Sequence, residues 1–184
     1  MHTFVCSCLT GPLKVKFLVY KECLAELFKQ CPVCCSSCET NWHIIGSFVS
    51  VTQICTNCEH RRTWTSQPFV ANLPAGNISL SAAIYFTGGS FSKIKKFLTA
   101  LRLESISEAT FYSHARQFLQ PTVLSLWKSS QTELLNDICE RSGDVVLGGD
   151  MRADSPGHCA KFGSYTMMDL RSNRVVDIQL IQVL

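Results

Sequence analysis

The chain has 184 residues, 46% hydrophobic and 17% charged, a balance that excludes a disordered chain and suits one medium domain or two small ones. Up to Asn136 twelve Lys and Arg stand against seven Asp and Glu, a net of +5, and beyond it five stand against seven, a net of −2. The basic part permits a polyanionic partner, and no apolar run reaches the length of a membrane span.

Residues 1–30 read as an N-terminal segment with one pattern, the amphipathic stretch Tyr20 to Phe28, which suits a short helix. The run LKVKFLVYKECLAELF is broken by Lys14, Lys16, Lys21 and Glu22, so it is neither a signal core nor an anchor, and the chain reads as intracellular. Eleven cysteines without a leader favour thiolate metal binding over a disulfide framework. Cys6, Cys8 and Cys23 read as ordinary reduced cysteines.

Residues 31–70 read as a zinc-binding β module. CPVC at Cys31 and Cys34 and CTNC at Cys55 and Cys58 are two knuckles around a β-rich segment, Trp42 to Ile54, that suits a hairpin. Tetrahedral Zn2+ takes four soft donors, and each Cys-x-x-Cys turn presents two thiolates to one ion. Cys35 and Cys38 offer a competing pair with the same spacing; Pro32, which stiffens the turn, favours Cys31 and Cys34. His43 and His60 are weaker candidates. Four thiolates leave no open position for water, so the expected zinc is structural. Just after the second knuckle, Arg61, Arg62 and Trp64 suit phosphate contact and base stacking; a solvated basic strand with Trp64 packed on the module is the competing reading.

Residues 71–143 read as helical. A helix over Ile78 to Phe86 is stopped by Gly88-Gly89, and Ser90 or Ser92 starts a second, with Lys93, Lys95, Lys96 and Arg102 mostly opposite its apolar face. Ser107 is a good N-cap for a third, whose polar positions include His114 and Arg116. Three short helices with a basic middle element resemble a helix-turn-helix arrangement. Beyond Pro121 a helix can restart and run to Gly143, covering one flank of the sheet that follows.

Residues 144–184 favour strands: DVVLGGD, then KFGSYTMMDL, then RVVDIQLIQVL after an RSN turn, an antiparallel meander with Val176, Ile178 and Leu180 on one half-buried face. The first strand is expected to end on Asp150, with Asp154 as the fallback acid. Taken alone, either aspartate suits a turn or cap better than a metal.

The run GGDMRADSPGHCAKFGSYTMMDLRSNRVVDIQLIQ, preceded in order by CPVC…CTNC, WTSQP, PAGNISLSAAIYFTGGSF and TFYSHARQFLQP, resembles transposase-derived proteins of fish and other animal genomes. These join a cysteine-rich zinc module to a DDE-type, ribonuclease H-like catalytic domain. The resemblance implies an α+β fold, DNA as partner, nuclear location, no membrane, and Asp150 as first ligand to a two-ion Mg2+ or Mn2+ centre in a full-length relative. That chemistry needs two further acids from later elements; Asp169 and Asp177 are poor substitutes, so neither strand transfer nor nuclease activity is expected of these residues. The rival expectation is a non-catalytic zinc module for protein–protein interaction or transcriptional regulation. A cross-braced ubiquitin-ligase module, which needs eight ligands in alternating pairs, is not supplied by this order of cysteines.

Overall fold

The computed structural model describes residues 15–70, 72–153, 155 and 160–182, in two units that divide between Thr122 and Val123. Both helices and antiparallel strands are present, so the chain is of the mixed α+β class. Among the described residues no helix is long and apolar enough to cross a membrane.

The first unit opens with helix α1 (Lys21–Glu26) and a three-stranded antiparallel sheet of order β1 (Cys38–Ile45), β2 (Phe48–Cys55), β3 (Arg61–Thr65). Gly46-Ser47 is the two-residue loop between β1 and β2, and Gly46 takes φ +59°, a left-handed value that suits glycine at the first position of such a turn. Trp42, Val51 and Trp64 lie opposite one another across the three strands and therefore share one face. Phe28 closes that face, with ring centroids 6.2 Å from Trp42 and 5.7 Å from Trp64, and Val51 beneath is fully buried. The other face carries Asn41, His43, Thr63 and Thr65, all exposed, and at the hairpin end the buried Phe48.

A small hairpin, β4 (Phe69–Val70) and β5 (Leu73–Pro74), brings Phe69 edge-on to Phe48 at 5.0 Å and leads into α2 (Ala75–Phe86). Helix α2 ends in a Schellman motif: Gly88, at φ +68°, donates to Tyr85 O, and Gly89 donates to Ile84 O at 2.9 Å. Helix α3 (Phe91–Ala100) ends the same way, with Arg102 at φ +55° in the place glycine usually takes. Ser107 caps α4 (Glu108–His114) by accepting from the Thr110 N–H at 3.1 Å. Ile84, Phe91, Ile106 and Phe111 form one buried cluster between these helices, with Phe91 and Phe111 stacked at 4.8 Å, and Ile78, Ala82 and Leu119 form a second.

The third helix does not stop and restart at Pro121, as its sequence suggests. It passes through a π turn, Ala115–Leu119, into α5 (Gln120–Glu140). Pro121 cannot donate to the carbonyl of Gln117 and its ring would press on it, and the wider turn, in which the Gln120 N–H reaches Ala115 O, accommodates both facts within one continuous helix.

In the second unit β6 (Leu147–Ala153), β7 (Phe162–Asp169) and β8 (Arg174–Gln182) form the expected antiparallel meander in the order β6-β7-β8. Gln131 of α5 donates to Val176 O at 2.9 Å and to Asp177 Oδ1 at 3.1 Å, which lays the helix along β8. Two expectations need correction. Asp150 does not end β6: Met151, Arg152 and Ala153 continue the ladder opposite Tyr165, Ser164 and Gly163. Nor are Val176, Ile178 and Leu180 buried alike: Val176, which lies at a register shift opposite Met167/Met168, is 9% exposed, Ile178 45% and Leu180 84%.

Candidate metal centre

The two knuckles are built alike. Cys31 donates its backbone N–H to Ser36 O at 2.8 Å and Cys55 donates to His60 O at 2.9 Å, so each Cys-x-x-Cys turn is closed by a bond five residues long. The residue after each second cysteine is left-handed, Cys35 at φ +59° and Glu59 at φ +57°. Backbone amides point at the first sulfur of each turn, Val33 N–H at Cys31 Sγ and the Asn57 and Cys58 N–H groups at Cys55 Sγ, all at 3.4 Å. This is how a short turn stabilises thiolate charge.

The hairpin brings the turns face to face. Sγ atoms of Cys31, Cys34, Cys55 and Cys58 all lie within 4.8 Å of one another. The separations are 3.6 Å for Cys31–Cys58 and 3.4 Å for both Cys34–Cys55 and Cys34–Cys58. A tetrahedron of sulfurs about 2.3 Å from a central zinc has edges of roughly 3.8 Å, so the cage is close to that size before any ion is considered. These four cysteines are able to hold a metal ion, and they are the one such group among the described residues.

Their acidities show what a cation would do. The Ser36 hydroxyl and backbone N–H, followed by the Cys58 and Cys55 thiols, hold Cys34 down to about 5. At Cys31 burial acts the other way, but the Cys34 and Val33 amides and the neighbouring thiols still bring it below the ordinary thiol value. At Cys58 the His60 N–H lowers the value, yet the Cys34 thiol, loss of water and the Cys55 and Cys31 thiols push it up to about 12. The cluster thus takes its first negative charges readily and resists the last. A dication among four sulfurs removes that resistance.

Cys35 and Cys38, the alternates, stay outside the cage. Cys35 is exposed at its left-handed position; Cys38 opens β1 directly opposite Cys55, half-buried, with burial and the Cys55 and Cys31 sulfurs holding its thiol up. His43 is exposed on the polar sheet face, His60 enters only through its backbone, and Cys23 is exposed. Cys6, Cys8 and Asp154 lie outside the described residues.

The cations named from sequence fall into two groups. Arg62 is held: its Nε donates to Gln53 Oε1, its Nη2 to Leu27 O at 3.2 Å, and its guanidinium lies 5.3 Å over the Phe28 ring. Lys95 is held too, its Nζ donating to Ser105 Oγ at 2.8 Å and reaching Ser105 O and Ile106 O. His114 is buried against Ser81 Oγ at 2.8 Å, where burial lowers its pKa and keeps the ring neutral. Arg61, Lys93, Lys96 and Arg116 are exposed, and Trp64 keeps 38% of its surface open beside Phe28.

Asp150 is exposed on β6, its Oδ1 accepting from the Met151 N–H at 2.8 Å. It shares a cross-strand row with Thr166 and Ile178, whereas Asp177 shares the next row with Met167 and Gly149 and so points to the opposite face. Asp169 is buried at the end of β7, where it accepts from Arg141 Nη1 at 2.7 Å, Ser172 Oγ at 2.6 Å and the Arg171 and Ser172 N–H groups. The Ser172 hydroxyl first, against burial, and then Arg141 and the two amides hold its carboxyl down to about 2. It is a turn-building acid that spacing alone did not single out; a β-turn with Asp at its first position is the signal that finds it.

Comparison with family models, with curated proteins and with solved structures found no match to this chain.

Proposed function

We propose that this chain is a zinc-binding, DNA-contacting relative of the DDE-type transposases, with a structural thiolate centre and no phosphoryl-transfer activity in these residues. The observation that carries the metal part is the convergence of the Cys31, Cys34, Cys55 and Cys58 sulfurs within 4.8 Å. Four soft donors without a water position favour Zn2+ in a structural role.

The net +5 of the chain up to Asn136 supports DNA as the partner, with Arg61, Lys93, Lys96 and Arg116 as the exposed cations for phosphate and Trp64 for stacking. A nuclear location goes with that reading. The three successive helices α2 to α4 support a helix-turn-helix role, and the β6-β7-β8 order with Asp150 on β6 supports the ribonuclease H-like reading. In a relative with two further acids, Asp150 would be one ligand of an Mg2+ or Mn2+ pair. Here Asp177 faces away from it and Asp169 is committed to its turn.

Duplex binding followed by fluorescence anisotropy over a range of salt tests the proposal. A steep loss of affinity with salt supports DNA, and plasmid nicking with Mg2+ that Asp150→Ala abolishes would refute the inactivity. The second reading, a protein-binding zinc module, is favoured by one observation: Val15, Phe17, Leu18, Val19 and Tyr20 are all strongly exposed. A flat or absent salt response would favour it.

A further inference from the structure

We propose that Cys38 and Cys55 are a modification site, a cysteine pair that hydrogen peroxide converts to a cross-strand disulfide and that thereby withdraws one ligand from the metal centre. The inference rests on the zinc reading above.

The geometry is set by the hairpin. Cys38 and Cys55 are direct partners at the open end of the β1–β2 ladder. Neither donates its N–H to the other, since Cys38 donates to Lys29 O at 3.0 Å and Cys55 to His60 O at 2.9 Å. They are therefore a non-hydrogen-bonded pair, whose Cα atoms lie roughly 4.5 Å apart, inside the ~4.4–6.8 Å span that a disulfide bridges. Thr56 locks this end of the hairpin, its N–H donating to Ser37 O at 3.4 Å and its hydroxyl to the same oxygen at 3.0 Å. The two side chains lie on the same face by pairing. Cys38 Sγ makes a weak hydrogen bond to Ser36 O at 3.9 Å and is half-buried rather than sealed. Cys55, by contrast, is 2% exposed and belongs to the cage. A small oxidant reaches the first sulfur more easily than the second.

Cys38 first gives its proton to solvent, and its thiolate attacks one peroxide oxygen: an S–O bond forms, the O–O bond breaks, and the hydroxide that leaves takes up a proton, giving a sulfenic acid and one water. The Cys55 thiolate then attacks the sulfenic sulfur. An S–S bond forms, the S–O bond breaks, and hydroxide leaves to be protonated by solvent. Two thiols lose two electrons in all, and one peroxide is reduced to two waters. Cys55 no longer offers a thiolate, and three ligands remain of four.

The test uses the full chain loaded with zinc and exposed to hydrogen peroxide, with released zinc read by a chromophoric chelator and disulfides mapped by mass spectrometry without reduction. Zinc loss in step with a Cys38–Cys55 linked peptide, and release several-fold slower in Cys38→Ser, is the expected result. Cys38→Ala serves where the serine variant folds poorly; both leave the four ligands intact. Release as fast from these variants as from the native chain, or links confined to Cys31, Cys34 and Cys58, overturns the inference while leaving the metal reading standing. A chain that holds no zinc before peroxide is added overturns the metal reading itself, and the inference with it.

Discussion

Asn77 grips the tip of the first hairpin through Ser47: its Oδ1 accepts from both the backbone N–H and the hydroxyl of Ser47, each at 2.8 Å. Its Nδ2 donates to Ile45 O at 2.7 Å, and Gln67 adds a bond to Ser47 O at 2.8 Å. The start of α2 is thereby fastened to the β module through the buried Asn77 side chain. Asn77→Ala removes the partner of the Ser47 N–H and one of the bonds to Ile45 O, and is expected to lower stability by about 1–3 kcal/mol, read as a lower urea midpoint at unchanged slope. Gly46→Ala should be similarly damaging, since its new Cβ would lie 2.8 Å from Asn77 Oδ1 at a φ of +59°.

Serine replacements distinguish the cage from its neighbours. Cys31→Ser removes a buried ligand and is expected to abolish stoichiometric metal binding and to loosen the β module, seen as lost amide-exchange protection in β1 and β2. Cys35→Ser touches an exposed residue outside the cage and should change neither the metal content nor the protection. Stripping the metal from the native chain with a strong chelator should mimic Cys31→Ser.

Arg61 and Arg62 are adjacent in sequence but point to opposite faces of β3. Arg62→Ala leaves Gln53, 1% exposed, with an unpaired amide oxygen, and should cost about 1–3 kcal/mol of stability. Arg61→Ala should leave the urea midpoint unchanged and reduce the salt slope of duplex binding by about 0.9, the contribution of one phosphate contact. Exchanged effects, with Arg61 supporting the fold and Arg62 the binding, would contradict the placement.

This pair also marks where the sequence was legible. The knuckles could be read because metal-ligand spacing is a local rule, and Gly88-Gly89 and Ser107 because helix ends follow local hydrogen-bond needs. Which of Arg61, Arg62, Lys93 and Lys95 stays exposed depends on what packs above it: Phe28 and Gln53 over β3, and the Ser105–Ile106 carbonyls beside α3. His114 falls at a polar helical position by composition but is buried by its approach to Ser81 of α2, a partner 33 residues away. The extension of β6 past Asp150 is likewise set by strand pairing rather than by propensity, whereas the π turn follows locally from Pro121, which lacks an N–H and crowds the preceding turn.

His114 makes the helical core acid-sensitive. Burial lowers its folded-state pKa below the unfolded value of 6.5, so the unfolded chain takes up the proton first. Stability is therefore full above that value and declines as pH falls below it toward the folded pKa. His114→Gln should flatten this part of the profile in urea titrations at about pH 8 and about pH 5. An unchanged slope would mean that the ring titrates freely.

Asp169 gives the second unit an acid limb of its own, at lower pH than that of His114. Its carboxyl is held at about 2 against an ordinary 3.8, so its contribution is present above the ordinary value and lost as pH falls through about 2. Asp169→Asn should lower the urea midpoint at neutral pH by weakening the bond to Arg141 and the Ser172 turn, with the difference from the native chain narrowing toward pH 2.

Metal content tests the tetrathiolate centre most directly. The purified chain, analysed by elemental mass spectrometry and by cobalt substitution, is expected to hold one zinc per chain and to give the intense sulfur-to-cobalt charge-transfer band of a tetrathiolate, both lost in Cys31→Ser. A chain that holds no metal, or that keeps it with the same spectrum after Cys31→Ser, would contradict the assignment of Cys31, Cys34, Cys55 and Cys58 as its centre.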